Sequence, residues 1–307
     1  MTLRVTFLGT CGAVPTTERN PSGVFINREG TRLLFDAGEG TQRQMMRFGT
    51  GFSVEAVFLT HLHGDHVLGL PGLLQTWDFN ERSDPVTIYT PRGTGADVRE
   101  LCGVVDTAPS YPVRVREIGP GDVAHSGDGF EIQVFQTAHR TRSVGYALVE
   151  EERKGRFHRD RAEELGVPVG PAFSTLHNGE AVELDDGTVV RPEQVVGSPR
   201  PGRRVVYTGD TRPTDAVVRA AEDADLLIHD ATFDTRYAER ARETGHTTAA
   251  EAADIATRAG AVRLVLTHIS SRYTGDASAI VEEADEHFPR EVILAHDGLT
   301  IDVPFPD

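Results

Sequence analysis

His61-Leu62-His63-Gly64-Asp65-His66 packs three imidazoles and a carboxylate into six residues, more metal-ligating capacity than a packing role requires. The run before it, Glu55-Ala-Val-Phe-Leu-Thr60, is apolar and β-branched and reads as a buried strand. The ligating side chains therefore occupy a loop leaving the carboxyl end of a strand, where open α/β sheets place their sites. Residues two apart in an extended turn point the same way, so His61 and His63 can grip one ion. Asp65 and His66, adjacent beyond the turn glycine, face a second.

Strand followed by His or Asp then recurs along the chain. Residues 130–135 deliver His139, 204–208 deliver Asp210, and 264–267 deliver His268. His246 stands just before a helix whose first turn carries a capping box, Thr248 with Glu251. A scattered histidine is ordinarily a satisfied surface or core residue; His125, His158, His177 and His287 lack a strand-end position and read as surface residues. With His139 completing one shell, His268 the other and Asp210 between them, two ions about 3.5–4 Å apart are expected. Histidine mixed with carboxylate suits zinc, with manganese and iron as alternatives. Two such ions lower the pKa of a water between them and clamp both oxygens of an in-line phosphoryl displacement. Asp36, ending the strand over 31–35, is placed to orient a ligand histidine.

The strands alternate with predicted helices over 41–48, 67–77, 95–101, 216–221, 249–258 and 277–287, an α/β pattern whose last strand is 292–295. One catalytic domain is expected over 1–307. Residues 150–203 break the rhythm. They are charged, rich in Gly and Pro, and read as an inserted arm with little core of its own. The turn-rich loop over 9–20 ends in Arg19 and Asn20, planar donors suited to phosphate or base edges. Cys11 and Cys102 are too few for a disulfide framework. No apolar run approaches a membrane span and no leader opens the chain, so a cytoplasmic, membrane-free protein is expected.

The formal net charge is −16, and Lys154 is the only lysine among 31 basic residues. Excess carboxylate with arginine in place of lysine points to a high-salt cytoplasm or a GC-rich genome. A uniformly acidic surface opposes nucleic-acid binding, so an RNA-binding reading requires arginines gathered on the arm and around the cleft.

The His61-x-His63-x-Asp65-His66 signature, with His139, Asp210 and His268, resembles the metallo-β-lactamase superfamily. More narrowly, the chain resembles the transfer RNA 3′-processing endonuclease family, ribonuclease Z, in its short form. The motifs are Gly9-Thr10 with Pro15-Thr-x-x-Arg19-Asn20, Phe35-Asp-Ala-Gly-Glu-Gly-Thr-Gln42, Tyr207-Thr-Gly-Asp210 and Thr267-His-Ile-Ser-Ser-Arg-Tyr273. The arm carries the family's exosite signature, Leu165-Gly-Val-Pro-x-Gly-Pro171 followed by Leu176-x-x-Gly-Glu180. The resemblance implies a four-layer αβ/βα sandwich with a transfer RNA-binding arm over 150–203, cutting precursor transfer RNA after the discriminator nucleotide to leave a 3′ hydroxyl. It implies two zinc ions per subunit: His61, His63 and His139 on one, Asp65, His66 and His268 on the other, Asp210 bridging. Asp65 would accept the proton of the attacking water and His246 would assist the leaving 3′ oxygen. Arg19, Asn20, Gly170, Pro171 and Arg272 would touch the RNA, and a homodimer would lend each arm to the partner's site. Two positions depart from the family pattern: residues 172–178 lack the usual basic side chains, and Asp230 stands where Glu is common. The alternative is a hydrolase of the same superfamily acting on a small phosphodiester or thioester, which has no use for such an arm.

Overall fold

Two seven-stranded sheets meet along their inner faces. A computed structural model describes residues 2–306. By its contacts the chain divides into two compact units: one runs to Val149 and resumes over Arg204–Pro304, and the other is Glu150–Arg203 with the tail from Phe305.

In the first unit, one sheet runs in the order Thr300–Asp302, Leu3–Gly9, Gly23–Arg28, Thr31–Phe35, Ala56–Phe58, Val86–Pro91, Val113–Ile118. The other runs Glu291–Leu294, Arg263–Thr267, Leu226–Asp230, Arg204–Tyr207, Val144–Glu150, Phe130–Gln136, Val123–Gly127. Each contains four consecutive parallel strands, from Thr31 to Ile118 in the first and from Arg204 to Leu294 in the second. Side-chain alternation sorts the layers. Leu33 and Phe35 point into the shared core with Phe58, Tyr146, Val205 and Ile228, whereas Leu34 points outward to Met45, Leu73 and Trp77. The helices Thr41–Arg47, Leu70–Phe79 and Gly95–Cys102 cover that outer face. Asp215–Ala220, Ala249–Ala259 and Ser278–His287 cover the other, over Val206, Leu227 and Leu264. The result is the expected αβ/βα sandwich.

Several local expectations need revision. The helix expected over 67–77 is two, Gly64–Val67 and Leu70–Phe79. The break falls at Gly69, whose N–H bonds Ala37 O at 2.9 Å and whose added Cβ would lie 2.1 Å from Gly38 O. Backbone-on-backbone approach here ends the helix and holds the metal loop against residues 37–38. The helix expected over 41–48 ends at Arg47; Gly40 occupies its cap, and the Thr41 hydroxyl donates to Gly38 O. The chain also ends one strand later than expected, because Thr300–Asp302 returns to pair with Arg4–Thr6. His125 is no surface residue; its ring packs among Phe58, Tyr89 and Phe130.

The second unit has a core of its own, contrary to expectation. Ala162, Val167, Leu176, Val190 and Val195 are buried there, with Phe157 and Phe173 packed against them. Glu150 and Arg203, where the chain enters and leaves, form a buried two-pronged pair at 2.7 and 2.8 Å.

Candidate metal centre

The strand Ala56–Phe58 ends where Leu59 O accepts the buried Tyr146 hydroxyl at 2.6 Å. The neighbouring strand ends at Asp36, a non-glycine residue at φ +57, whose carboxylate accepts from Thr60 N at 2.8 Å and from the Tyr207 hydroxyl at 2.9 Å. Two tyrosines of one sheet thus fix the strand ends of the other. Gly209 lets Asp210 join them: it lies at φ +57, and any Cβ would sit 2.7 Å from the Thr60 side chain.

The outward nitrogens of four imidazoles all have partners. His61 Nδ1 donates to Thr60 Oγ1 (3.0 Å), which itself donates to Asp36; His66 Nδ1 donates to Asp36 Oδ2 (2.8 Å). His139 Nδ1 donates to Gly245 O (2.8 Å), and His268 Nδ1 to Thr232 Oγ1 (2.9 Å), whose hydroxyl proton goes to Asp230. In the neutral rings these bonds assign the tautomers and leave the Nε2 lone pairs facing inward. The inward ring nitrogens face one another. His61 Nε2 and His63 Nδ1 are 2.9 Å apart, and His63 Nδ1 and His139 Nε2 3.2 Å. His66 Nε2 and His268 Nε2 are 3.3 Å apart, with Asp65 Oδ2 3.2 Å from the latter.

Asp210 spans both groups. Its Oδ2 lies 3.5 Å from His61 Nε2, and its Oδ1 lies 3.4 and 3.2 Å from His66 and His268 Nε2. That Oδ1 is buried with no hydrogen-bond donor. Ring nitrogens converging on one another, with an orphaned carboxylate oxygen between them, fit bound cations. Two donor sets meet the spacing a metal ion needs, His61, His63, His139, Asp210 and Asp65, His66, His268; a third, Asp210, Asp230, His246, His268, overlaps them.

The electrostatics agree. Burial and then the neighbouring His66 push His61 well below the ordinary histidine range. Burial also disfavours charge on His66, but the Asp210, Asp36 and Asp65 carboxylates outweigh it and hold that imidazole well above its usual value. The second donor set therefore draws positive charge strongly, and a divalent ion supplies it in place of the proton.

A model of the metallo-beta-lactamase superfamily matches residues 16–268. The chain is 66% identical over 307 residues to ribonuclease Z of Natronomonas pharaonis, with all of both chains covered. It is 51% identical to that of Methanosarcina acetivorans over 99% of each. The short form of human tRNase Z superposes with a TM-score of 0.71 at 30% identity, covering 98% of this chain and all of that one. This chain belongs to the ribonuclease Z family. A metallo-beta-lactamase fold protein of Bacillus subtilis, at 22% identity and a TM-score of 0.69, shares the fold. Membership brings divalent-metal binding with it, and the donor sets above are where this chain can provide it.

The remaining expected residues of this family member are placed variously. Asp65 also accepts the Ala13 N–H at 2.7 Å. His246 follows Gly245, the left-handed cap of the helix Ala238–Thr244, and its ring stacks on His268 with centroids 5.1 Å apart. Its Nδ1 lies 2.9 Å from Asp230 Oδ2. Burial lowers His246, but Asp230 prevails and the imidazole is raised to about 9. Asp230 itself was not singled out by its sequence position, although it ends a strand as Asp36 does. A cavity of about 650 Å³ opens over this group, lined among others by His63, Asp65, Asp210, His246 and His268. Arg19 and Asn20 spend donors on the protein: Arg19 on Ala295 O and Thr10 Oγ1, Asn20 on Glu39 O. Arg272 is exposed and lies 5.7 Å from the Tyr237 ring. Gly170 and Pro171 belong to the second unit, opening the helix Pro171–His177. Among the described residues no helix is long and apolar enough to cross a membrane.

Proposed function

We propose that this chain removes the 3′ trailer of precursor transfer RNA as a metal-dependent endoribonuclease, cutting after the discriminator nucleotide. The observation that carries the mechanism is Asp210, one oxygen aimed at each donor set and one of them orphaned. His61, His63 and His139 would hold one zinc ion and Asp65, His66 and His268 the other, with Asp210 between the two donor sets. When bound, such ions would supply Lewis acidity at the phosphoryl oxygens and make water nucleophilic near neutral pH. Asp65, fixed by the Ala13 N–H and bordering the cavity, accepts the proton of the attacking water. As the new P–O bond forms, the bond to the 3′ oxygen breaks. His246, kept charged by Asp230, delivers its proton to that oxygen. The products are a transfer RNA 3′ hydroxyl and a trailer with a 5′ phosphate. The second unit, with Gly170 and Pro171, serves as the arm that grips the transfer RNA body. A homodimer, implied by the family resemblance alone, completes the reading.

Labelled precursor transfer RNA incubated with and without a chelator, with both product ends mapped, tests it. The expected result is a single cut with a 3′ hydroxyl, lost on chelation and restored by zinc or manganese. Uncut precursor with metal present, or cyclic-phosphate ends, overturns it.

A further inference from the structure

Arg140 is the only arginine or lysine among the described residues lining the cavity over the metal centre. The turn that carries it is pinned just before His139: Ala138 N donates to Thr211 Oγ1 at 3.0 Å, and Ala138 O accepts Arg212 N at 2.8 Å. Its stem rests on the end of the helix Ala238–Thr244. Gly245, at φ +86, has no side chain to push it away; a Cβ there would lie 3.1 Å from Arg140 Cγ. The guanidinium, by contrast, is exposed and has no hydrogen-bond or ion-pair partner among the described residues. Other arginines of the first unit are engaged: Arg142 with Gly93 O at 2.8 Å, Arg92 with Asp122 at 2.9 Å, Arg212 with Arg242 O at 2.9 Å. In a chain of 47 acidic and 31 basic residues, an unpaired cation at the mouth of an acidic cleft stands apart.

Resting on the endoribonuclease reading above, we propose that Arg140 clamps the RNA phosphate immediately 5′ of the one cleaved. The side follows from geometry. Arg140 packs on Gly245, next to His246, and His246 serves the departing 3′ oxygen, so Arg140 lies towards the transfer RNA body. A planar guanidinium with five donors matches a phosphate in two-pronged fashion, and a fixed stem lowers the entropy lost in binding it. Arg140 is thus a substrate-positioning cation, with no part in proton transfer.

The test uses the metal-loaded full chain as wild type, Arg140→Ala and Arg140→Lys. The substrates are precursor transfer RNA with either a normal linkage or a neutral methylphosphonate at that 5′ phosphate. On normal RNA, Arg140→Ala raises KM about tenfold with a much smaller change in kcat. It also flattens the slope of log affinity against log salt by about 0.7 to 0.9, the share of one phosphate contact. Arg140→Lys keeps the slope but recovers only part of the KM, because the fork is lost. On the methylphosphonate, wild type and Arg140→Ala become equal. An unchanged salt slope, a penalty that persists on the methylphosphonate, or a collapse of kcat with KM intact each overturns the clamp. Precursor cut by the wild type with any of these results sinks the clamp alone; precursor left uncut by the wild type sinks the underlying reading with it.

Discussion

Asp230 places one oxygen 2.9 Å from His246 Nδ1 and the other 2.6 Å from Thr232 Oγ1, the hydroxyl that positions His268. One carboxylate therefore sets the charge of the proposed acid and the tautomer of a proposed ligand. Removing the imidazole and removing the charge should then differ. His246→Ala is expected to lower kcat by roughly 10²–10⁴-fold while metal content stays at the wild-type value. Asp230→Asn keeps an acceptor for one partner but withdraws the charge, so it should lower kcat and also weaken metal retention through His268. Metal analysis beside single-turnover cleavage separates the two; equal metal retention in both variants contradicts the dual role. The histidines of the two donor sets were legible in sequence because they follow strands. Asp230 follows one too, but a carboxylate at a strand end is a common turn former, and only its two partners give it a role. Arg19 is a different case: its residue type suggests RNA, and Ala295 O and Thr10 engage one nitrogen of its guanidinium.

At the scale of elements, periodicity recovered the long helices and the parallel strands and failed where packing overrules pattern. The break at Gly69 comes from backbone contact with residues 37–38, which no local signal encodes. Thr300–Asp302 is three residues with a single buried apolar side chain, too short to register as a strand. Within 150–203 the apolar residues are scattered among charges, so the small core around Leu176 was invisible. So was the ion pair closing that unit, because buried and solvated charges read alike in sequence. Glu150 and Arg203 are 3% and 1% exposed, and Arg203 also lies 3.9 Å from the Phe305 ring. Breaking such a pair from one side leaves an uncompensated buried charge, at a cost of about 3–5 kcal/mol. Glu150→Ala should therefore open the second unit locally, seen as faster amide exchange across 150–203. Glu150→Leu combined with Arg203→Met should restore much of the protection. Wild-type exchange in Glu150→Ala would show that the pair does not hold the unit closed.

Charge is the whole-molecule question, and the arrangement needed for an acidic RNA-binding protein is not the one found. Residues 150–203 hold eight basic and eleven acidic side chains, net −3, so this unit is about as acidic per residue as the chain at −16 over 307 residues. Several of its cations are also occupied. Arg159 pairs with Glu163 at 2.7 Å, Arg161 with Glu164 at 3.7 Å, Lys154 with Asn178, and Arg153 lies against Phe305. The expectation that arginines gather on the arm is therefore set aside. An arm of this kind has few charges with which to displace counterions, and each phosphate neutralised contributes about 0.7 to 0.9 to the salt slope. Recognition must rest on shape and on a few fixed contacts near the cleavage point. Binding of mature transfer RNA to the full chain, followed by fluorescence anisotropy across a salt series, should give a slope shallower than about −3. Affinity would then fall by less than about 100-fold between roughly 50 and 200 mM salt, against about 10³–10⁵-fold for a protein with six to ten phosphate contacts. A slope of about −6 or steeper would mean that the paired arginines release their carboxylates to the RNA, and the acidic surface would have to rearrange on binding.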